Sequence, residues 1–198
     1  MRRRSVLALL AATGGCSLLP SAPYVQRRDW PLDVQRPSTA QPRRNGRVLL
    51  VRSIRAGPGL DERGLRWLQR DGSLHVDFYE QWAVPPAQAM ESDLRQWLAD
   101  AGLFRAVIAP GSRLNADYVL EGALDAFAAD LNANLARVAL ALVLLDQRQG
   151  SAKVLLQRTV AAEARLAGTE PPAIADAMKA ALTDVLGQTE TVIAAAVR

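Results

Sequence analysis

Eight consecutive apolar residues, Val138-Ala139-Leu140-Ala141-Leu142-Val143-Leu144-Leu145, constrain the fold of this chain more than any other stretch. A helix needs about 20 apolar residues to cross a hydrocarbon core of ~30 Å, so the run cannot be a membrane span. Its length is that of a strand, and an unbroken apolar run predicts a central strand buried on both faces. Two long strand candidates flank the segment Leu135 to Leu145: Tyr118 through Phe127 before it and Val154 to Leu166 after it. The separators are Asp130-Leu131-Asn132 and Gln147-Arg148-Gln149-Gly150-Ser151, both rich in turn formers.

The preceding residues supply the rest of an α/β unit. Val48 to Val51, bounded by Asn45-Gly46 and by Gly57-Pro58-Gly59, reads as a buried strand. Leu65, Trp67 and Leu68 open a second strand that reaches the turn pair Asp71-Gly72. The return strand, Leu74 to Tyr79, alternates Leu74, Val76 and Phe78 on one face with His75, Asp77 and Tyr79 on the other. After Trp82 comes Pro85-Pro86, where a fixed φ and a missing donor suit the first turn of a helix. Met90, Leu94, Trp97, Leu98 and Ala101 then recur at helical spacing and stop at Gly102, predicting about four turns. Phe104 to Ile108 is a short strand closed by Pro110-Gly111. Beyond Gly168, Pro171-Pro172 opens a last helix with Ile174, Met178, Ala181, Leu182, Val185, Val192, Ile193 and Ala196 on one face. Its polar face is not strongly basic, which favours core packing over a place on a membrane surface. The order of elements predicts a mixed sheet with helices on it.

The N-terminus is a targeting signal. Arg2, Arg3 and Arg4 precede an apolar run from Ser5 to Ala12, which ends in Thr13-Gly14-Gly15 and Cys16, the only cysteine. A basic start, a short apolar core and small residues before a cysteine form the layout of a bacterial lipoprotein signal over residues 1–15, with Cys16 as the acylated first residue of the mature chain. A non-lipidated secretory signal or a structural free thiol is the competing reading. Ser17 follows the cysteine where an aspartate would favour the inner membrane, so the expected location is the periplasmic face of the outer membrane, through the acyl chains. Residues 16–46, with Pro20, Pro23, Pro31, Pro37 and Pro42 among Ser, Gln and Arg, read as a semi-rigid tether. Its apolar points, Tyr24-Val25 and Trp30, can add a short strand to the edge of a domain over residues 47–198.

Cleavage also changes the charge. The removed segment holds three arginines and no acid, so the formal net charge falls from +4 to +1. Near-neutrality and export together disfavour nucleic acid as a partner. A lone cysteine excludes an internal disulfide, and a lone histidine, His75, excludes a histidine-pair metal motif. There is no nucleophile elbow, and Gly57-Pro58-Gly59 lacks the lysine of a phosphate loop. Asp61 with Glu62, and Asp125 with Asp130, are carboxylate pairs that nothing in the sequence brings together. The expectation is therefore no catalytic residue, no cofactor and no metal. Tyr79, Trp82 and Pro85 are the candidates for a partner-contact rim, although a Trp at a strand-to-helix corner is more often a packing anchor.

The pieces in order resemble a known family. The lipid-site Cys16, the early Tyr24, the Val48-to-Arg55 strand followed by Gly-Pro-Gly-Leu-Asp, and the hairpin ending Phe78-Tyr79-Glu80-Gln81-Trp82-Ala83-Val84-Pro85-Pro86 come first. The helix running into Gly102-Leu103-Phe104, the strand Ala116-Asp117-Tyr118-Val119-Leu120 and the closing alanine-rich helix follow. Together they are similar to the ABC-type transport auxiliary lipoprotein component family, to which paraquat-inducible protein C belongs. The resemblance implies a three-layer α/β domain with a mixed β-sheet and two main helices, anticodon-binding-like and similar to the TolB N-terminal domain. It implies a non-enzymatic accessory of a mammalian-cell-entry-type ABC system that moves phospholipid between membranes, with that system's substrate-binding subunit as partner, and leaves a homo-oligomer open. The alternative is an outer-membrane lipoprotein that regulates cell-wall enzymes by protein contact, and a third reading is a hydrolase with an unrecognised site.

Overall fold

The computed structural model describes residues 24–42 and 46–197. Among the described residues ten elements follow one another: β1 (Arg28–Trp30), β2 (Val48–Ala56), β3 (Gly64–Leu68), β4 (Leu74–Trp82), α1 (Pro86–Asp100), β5 (Ala106–Ile108), β6 (Tyr118–Asp130), β7 (Leu135–Asp146), β8 (Lys153–Arg165) and α2 (Pro171–Ala196).

β6 organises the sheet. Along one side its first half runs parallel to β2, from Leu49↔Tyr118 to Ala56↔Leu124, and its last residues run parallel to β3 at Trp67↔Ala129 and Leu68↔Asp130. β5 extends the sheet parallel to β2, while β4 and then β1 extend it beyond β3. Along its other side β6 pairs antiparallel with β7 over the whole strand, and β7 pairs likewise with β8. The sheet is mixed and carries two main helices, as expected.

The two helices lie side by side on the sheet. The Trp97 indole of α1 donates to Glu190 of α2 at 2.8 Å, and the same ring lies against Gly187, so both helices share one face of the sheet. α1 covers β2 and β5, and α2 covers β7 and β8. This arrangement corrects the reading of the apolar run. β7 is central, with Val138, Leu140, Leu142 and Leu144 fully buried under the helices, but Ala141, Val143 and Leu145 on the far face are only half-buried. The far face bears no helix among the described residues, and a shallow groove of about 460 Å³ there is floored by Ala123 and Ala141.

A second correction concerns β4. Leu74 and Phe78, which alternation groups with Val76 on the apolar face of the strand, are 49% and 64% exposed. The hairpin meets β6 only at the end of β3, and the helices pack on other strands, so its outer half projects past the core. Its inner end is different: Trp82 is fully buried and lies 5.5 Å from the Phe127 ring.

The third correction concerns the tether. Its described part is a folded strap. β1 pairs in parallel with β4, Arg28↔Glu80 to Trp30↔Trp82. Leu32 and Val34 then enter the core, while Asp33 between them and Gln35 after them are exposed. The Ala40 N–H donates to Asp100 O at the end of α1, 2.7 Å away. The folded unit thus reaches back to Arg28 instead of starting near Arg47. The prolines that suggest a free linker suit an extended strap equally well, because such a segment makes few ladder hydrogen bonds for proline to break. The signal peptide, Cys16 and the first part of the tether lie outside the described residues.

Candidate functional site

The N-terminal strap, the β3–β4 hairpin and the corner into α1 form one connected surface region. At its centre is Glu80, 7% exposed, whose two oxygens accept the Arg28 Nε at 2.7 Å and the Trp30 indole N–H at 2.8 Å. A buried carboxylate needs such donors to offset its lost hydration. Glu80 therefore clamps β1 to the sheet edge, and the Ala83 N–H adds a bond to Trp30 O at 2.8 Å.

The strap continues over the helices and is held by two more carboxylates. Asp93 sits on the buried face of α1 and accepts the Val34 N–H at 3.1 Å. Burial pushes its carboxyl up to about 7, against the Val34 bond that favours the charged form, and the charge of Asp33 raises it further. Glu190 of α2 accepts the Arg36 guanidinium at 2.9 and 3.1 Å as well as the Trp97 indole. The Arg36 bonds come first in holding the Glu190 carboxyl below its ordinary value, and burial opposes them. One carboxylate thus joins strap, α1 and α2.

Between β3 and β4 the ladder is interrupted. Gly64 pairs with Gln81 but Arg66 pairs with Val76, so Leu65 faces the four residues Asp77 to Glu80. Asp77 caps this bulge from within, its Oδ1 accepting the N–H of Tyr79 at 2.7 Å and of Glu80 at 2.9 Å. A Cβ on Gly64 would stand 2.4 Å from Asp77 O, which no side chain tolerates, so glycine is required there. The bulge presents Phe78 and Tyr79 as an edge-to-face pair with centroids 5.2 Å apart, and Arg27 lies 4.6 Å over the Phe78 ring.

The three rim candidates separate. Tyr79 is 43% exposed on the bulge. Trp82 has no exposed surface and cannot be a contact residue; its N–H donates to Arg63 O, and its indole Nε1 has no acceptor among the described residues. Pro85 is the half-buried N-cap of α1, accepting the N–H groups of Gln88 and Ala89 at 3.0 and 3.1 Å. The edge of β4 is filled by β1 at residues 80–82. A much longer open edge is that of β8, whose outer side has no partner strand among the described residues.

The chemistry-bearing side chains are dispersed. Among the described residues no three of His, Cys, Asp and Glu converge as metal ligands. His75 stacks on Trp67 at 4.3 Å and lies 3.5 Å from Asp77. Asp130 caps the β6–β7 turn by accepting the N–H of Asn132 and Ala133, while Asp61, Glu62 and Asp125 are exposed. Arg66 is a residue sequence reasoning passed over: it is buried beside Gly59, and its Nη1 has no partner among the described residues. No helix among the described residues is long and apolar enough to cross a membrane.

Comparison with known proteins agrees with this architecture. The chain is similar to a crystal structure of protein XCC0632 from Xanthomonas campestris at 23% identity, covering 87% of this chain and 95% of that one with a TM-score of 0.68. An uncharacterized protein structure matches at 15% identity over 88% and 100% of the two chains, TM-score 0.65. The hypothetical protein CT253 from Chlamydia trachomatis matches at 9% identity over 79% and 99%, TM-score 0.53. At these identities the likeness concerns the fold. No curated protein matches in sequence. Residues 31–189 match the family described as ABC-type transport auxiliary lipoprotein component, a span that begins inside the strap and ends one residue before its latch at Glu190 on α2. This chain belongs to the ABC-type transport auxiliary lipoprotein component family.

Proposed function

We propose that the protein is a periplasm-facing lipoprotein, acylated at Cys16 and held at the outer membrane. It serves there as a non-enzymatic auxiliary component of a mammalian-cell-entry-type ABC system that carries phospholipid between membranes. Family membership over residues 31–189 carries this reading. The architecture supports it. From Cys16 the chain enters β1 within twelve residues and is then clamped at Glu80, Asp93 and Glu190, so a lipid anchor would be coupled to the folded domain rather than loosely tethered. The dispersal of titratable groups suits a protein that acts through contact surfaces, where shape and apolar area matter more than proton transfer. For the contact with the substrate-binding subunit we assign the outer edge of β8, thirteen residues long, because an unpaired strand edge is a template for strand addition.

Deleting the gene tests this reading. The expected result is a weakened outer-membrane barrier to detergents and organic solvents, restored by the wild-type chain and not by Cys16→Ala. An intact barrier with altered cell-wall crosslinking would point to regulation of cell-wall enzymes instead.

A further inference from the structure

The aromatic bulge of β4 is built with more structure than an incidental exposed loop. Four residues face one across the ladder, an internal aspartate caps two backbone N–H groups, and a glycine makes room for the approach. What it presents is apolar: Phe78 is 64% and Tyr79 43% exposed. Single exposed apolar residues are ordinary, but a rigidly presented aromatic pair marks an interaction surface. Arg27 over Phe78 brings the incoming chain onto the same patch.

The course of the chain says what covers it. Arg28 is in register with Glu80, immediately beside Tyr79, so the residues arriving from Cys16 reach the domain at this bulge. Ten residues lie between Cys16 and Arg27, and fully extended the segment from one to the other spans at most about 40 Å. Any bilayer that holds an acylated Cys16 is therefore within reach of Phe78 and Tyr79. Tyr79, an aromatic with one polar end, and Arg27, which can meet a lipid phosphate, fit the interfacial layer of a bilayer, and Phe78 supplies apolar area to bury in it.

We propose that Phe78 and Tyr79, with Arg27, form a second membrane contact that seats this edge of the sheet on the phospholipid surface holding the anchor, and thereby turns β8 at the opposite edge away from it. The proposal rests on the acyl anchor at Cys16. Seating fixes the orientation of the domain, which an anchor alone leaves free, and it leaves the long open strand edge pointing toward a partner.

The test uses the mature lipidated protein in vesicles of phosphatidylethanolamine and phosphatidylglycerol containing nitroxide-labelled lipid. Acylation consumes the Cys16 thiol, so an environment-sensitive fluorophore can be placed on a single new thiol. Glu62→Cys labels an exposed position that lines the same hollow as Phe78 and leaves both aromatics intact, and Val154→Cys labels the exposed part of β8. The expected result is quenching several-fold stronger at position 62 than at 154, falling to the level at 154 when Phe78→Ser and Tyr79→Ser are added to E62C. Equal, weak quenching at both positions in protein that floats with the vesicles would overturn the proposal and leave the anchor standing, with a protein partner as the occupant of the patch. Protein that fails to float would overturn the anchor itself and this proposal with it.

Discussion

Arg36 and Glu190, 154 positions apart in the chain, form a two-point ion pair that fastens the N-terminal strap to the last helix. The pair is mostly shielded, with side chains 19% and 21% exposed, and the same carboxylate also holds the Trp97 indole of α1. Three segments distant in sequence converge on one acid, so losing it should loosen all three. Glu190→Ala is expected to lose about 1–3 kcal/mol, the range for charged hydrogen bonds whose partners are left unmet. Hydrogen exchange at the Ala40 amide, bonded to Asp100 O, should rise in step. Because Arg36 holds the Glu190 carboxyl below its ordinary value, this stabilisation is present above the unfolded value and is lost as pH falls through the lower folded value. Unchanged melting together with unchanged exchange at Ala40 would show that the strap is held elsewhere.

Asp93 should act in the opposite direction. Its folded value near 7 lies above the unfolded value of 3.8, so the folded protein holds a proton there that the unfolded chain has released. Stability should fall as pH rises from about 4 to about 7 and level off above. Asp93→Asn keeps an oxygen to accept the Val34 N–H but has no proton to lose. Melting curves of this variant should show a shallower decline across that window than those of the parent; parallel declines would remove Asp93 as the cause.

Gly102→Ala should release the end of the strap. Gly102 ends α1 with φ at +66°, and a Cβ there would lie 2.7 Å from Gln41 O. Left-handed backbone and a backbone clash together predict a loss of at least about 1 kcal/mol. Proteolysis should then increase within residues 37–42, and equal cleavage rates in both proteins would contradict the close approach.

Trp82→Ala should cost about 3–5 kcal/mol, the range for deleting a buried aromatic. Its ring has no exposed surface and packs near Phe127. Thermal melting checks this, and a variant that melts with the parent would contradict the role of Trp82 as a packing anchor.

The residues that report the fold in the sequence are those whose periodicity matches their packing. Met90, Leu94, Trp97 and Leu98 mark the buried face of α1, and Ile174, Met178, Leu182 and Val185 mark that of α2. Asp93 was legible in principle, since it falls at helical spacing between Met90 and Trp97 on an otherwise apolar face. The strap was legible too, as Trp30, Leu32 and Val34 alternate with Pro31, Asp33 and Gln35, but its prolines and arginines suggested a solvated linker. Two features were beyond local pattern. Alternation gives Phe78 the parity of a core residue, and only the bulge opposite Leu65 and the overhang of the hairpin expose it. Likewise, an eight-residue apolar run cannot tell that helices will cover one face of β7 alone.

The central claim, that this chain is an auxiliary component docked on the substrate-binding subunit of a lipid-carrying ABC system, is tested most directly by crosslinking in living cells. A photoreactive residue placed at Val154, which is 54% exposed on β8, should capture the mammalian-cell-entry-type subunit, while the same group at Leu114, 54% exposed outside β8, should not. Capture of a peptidoglycan synthase from position 154, with no transporter subunit, would contradict the account.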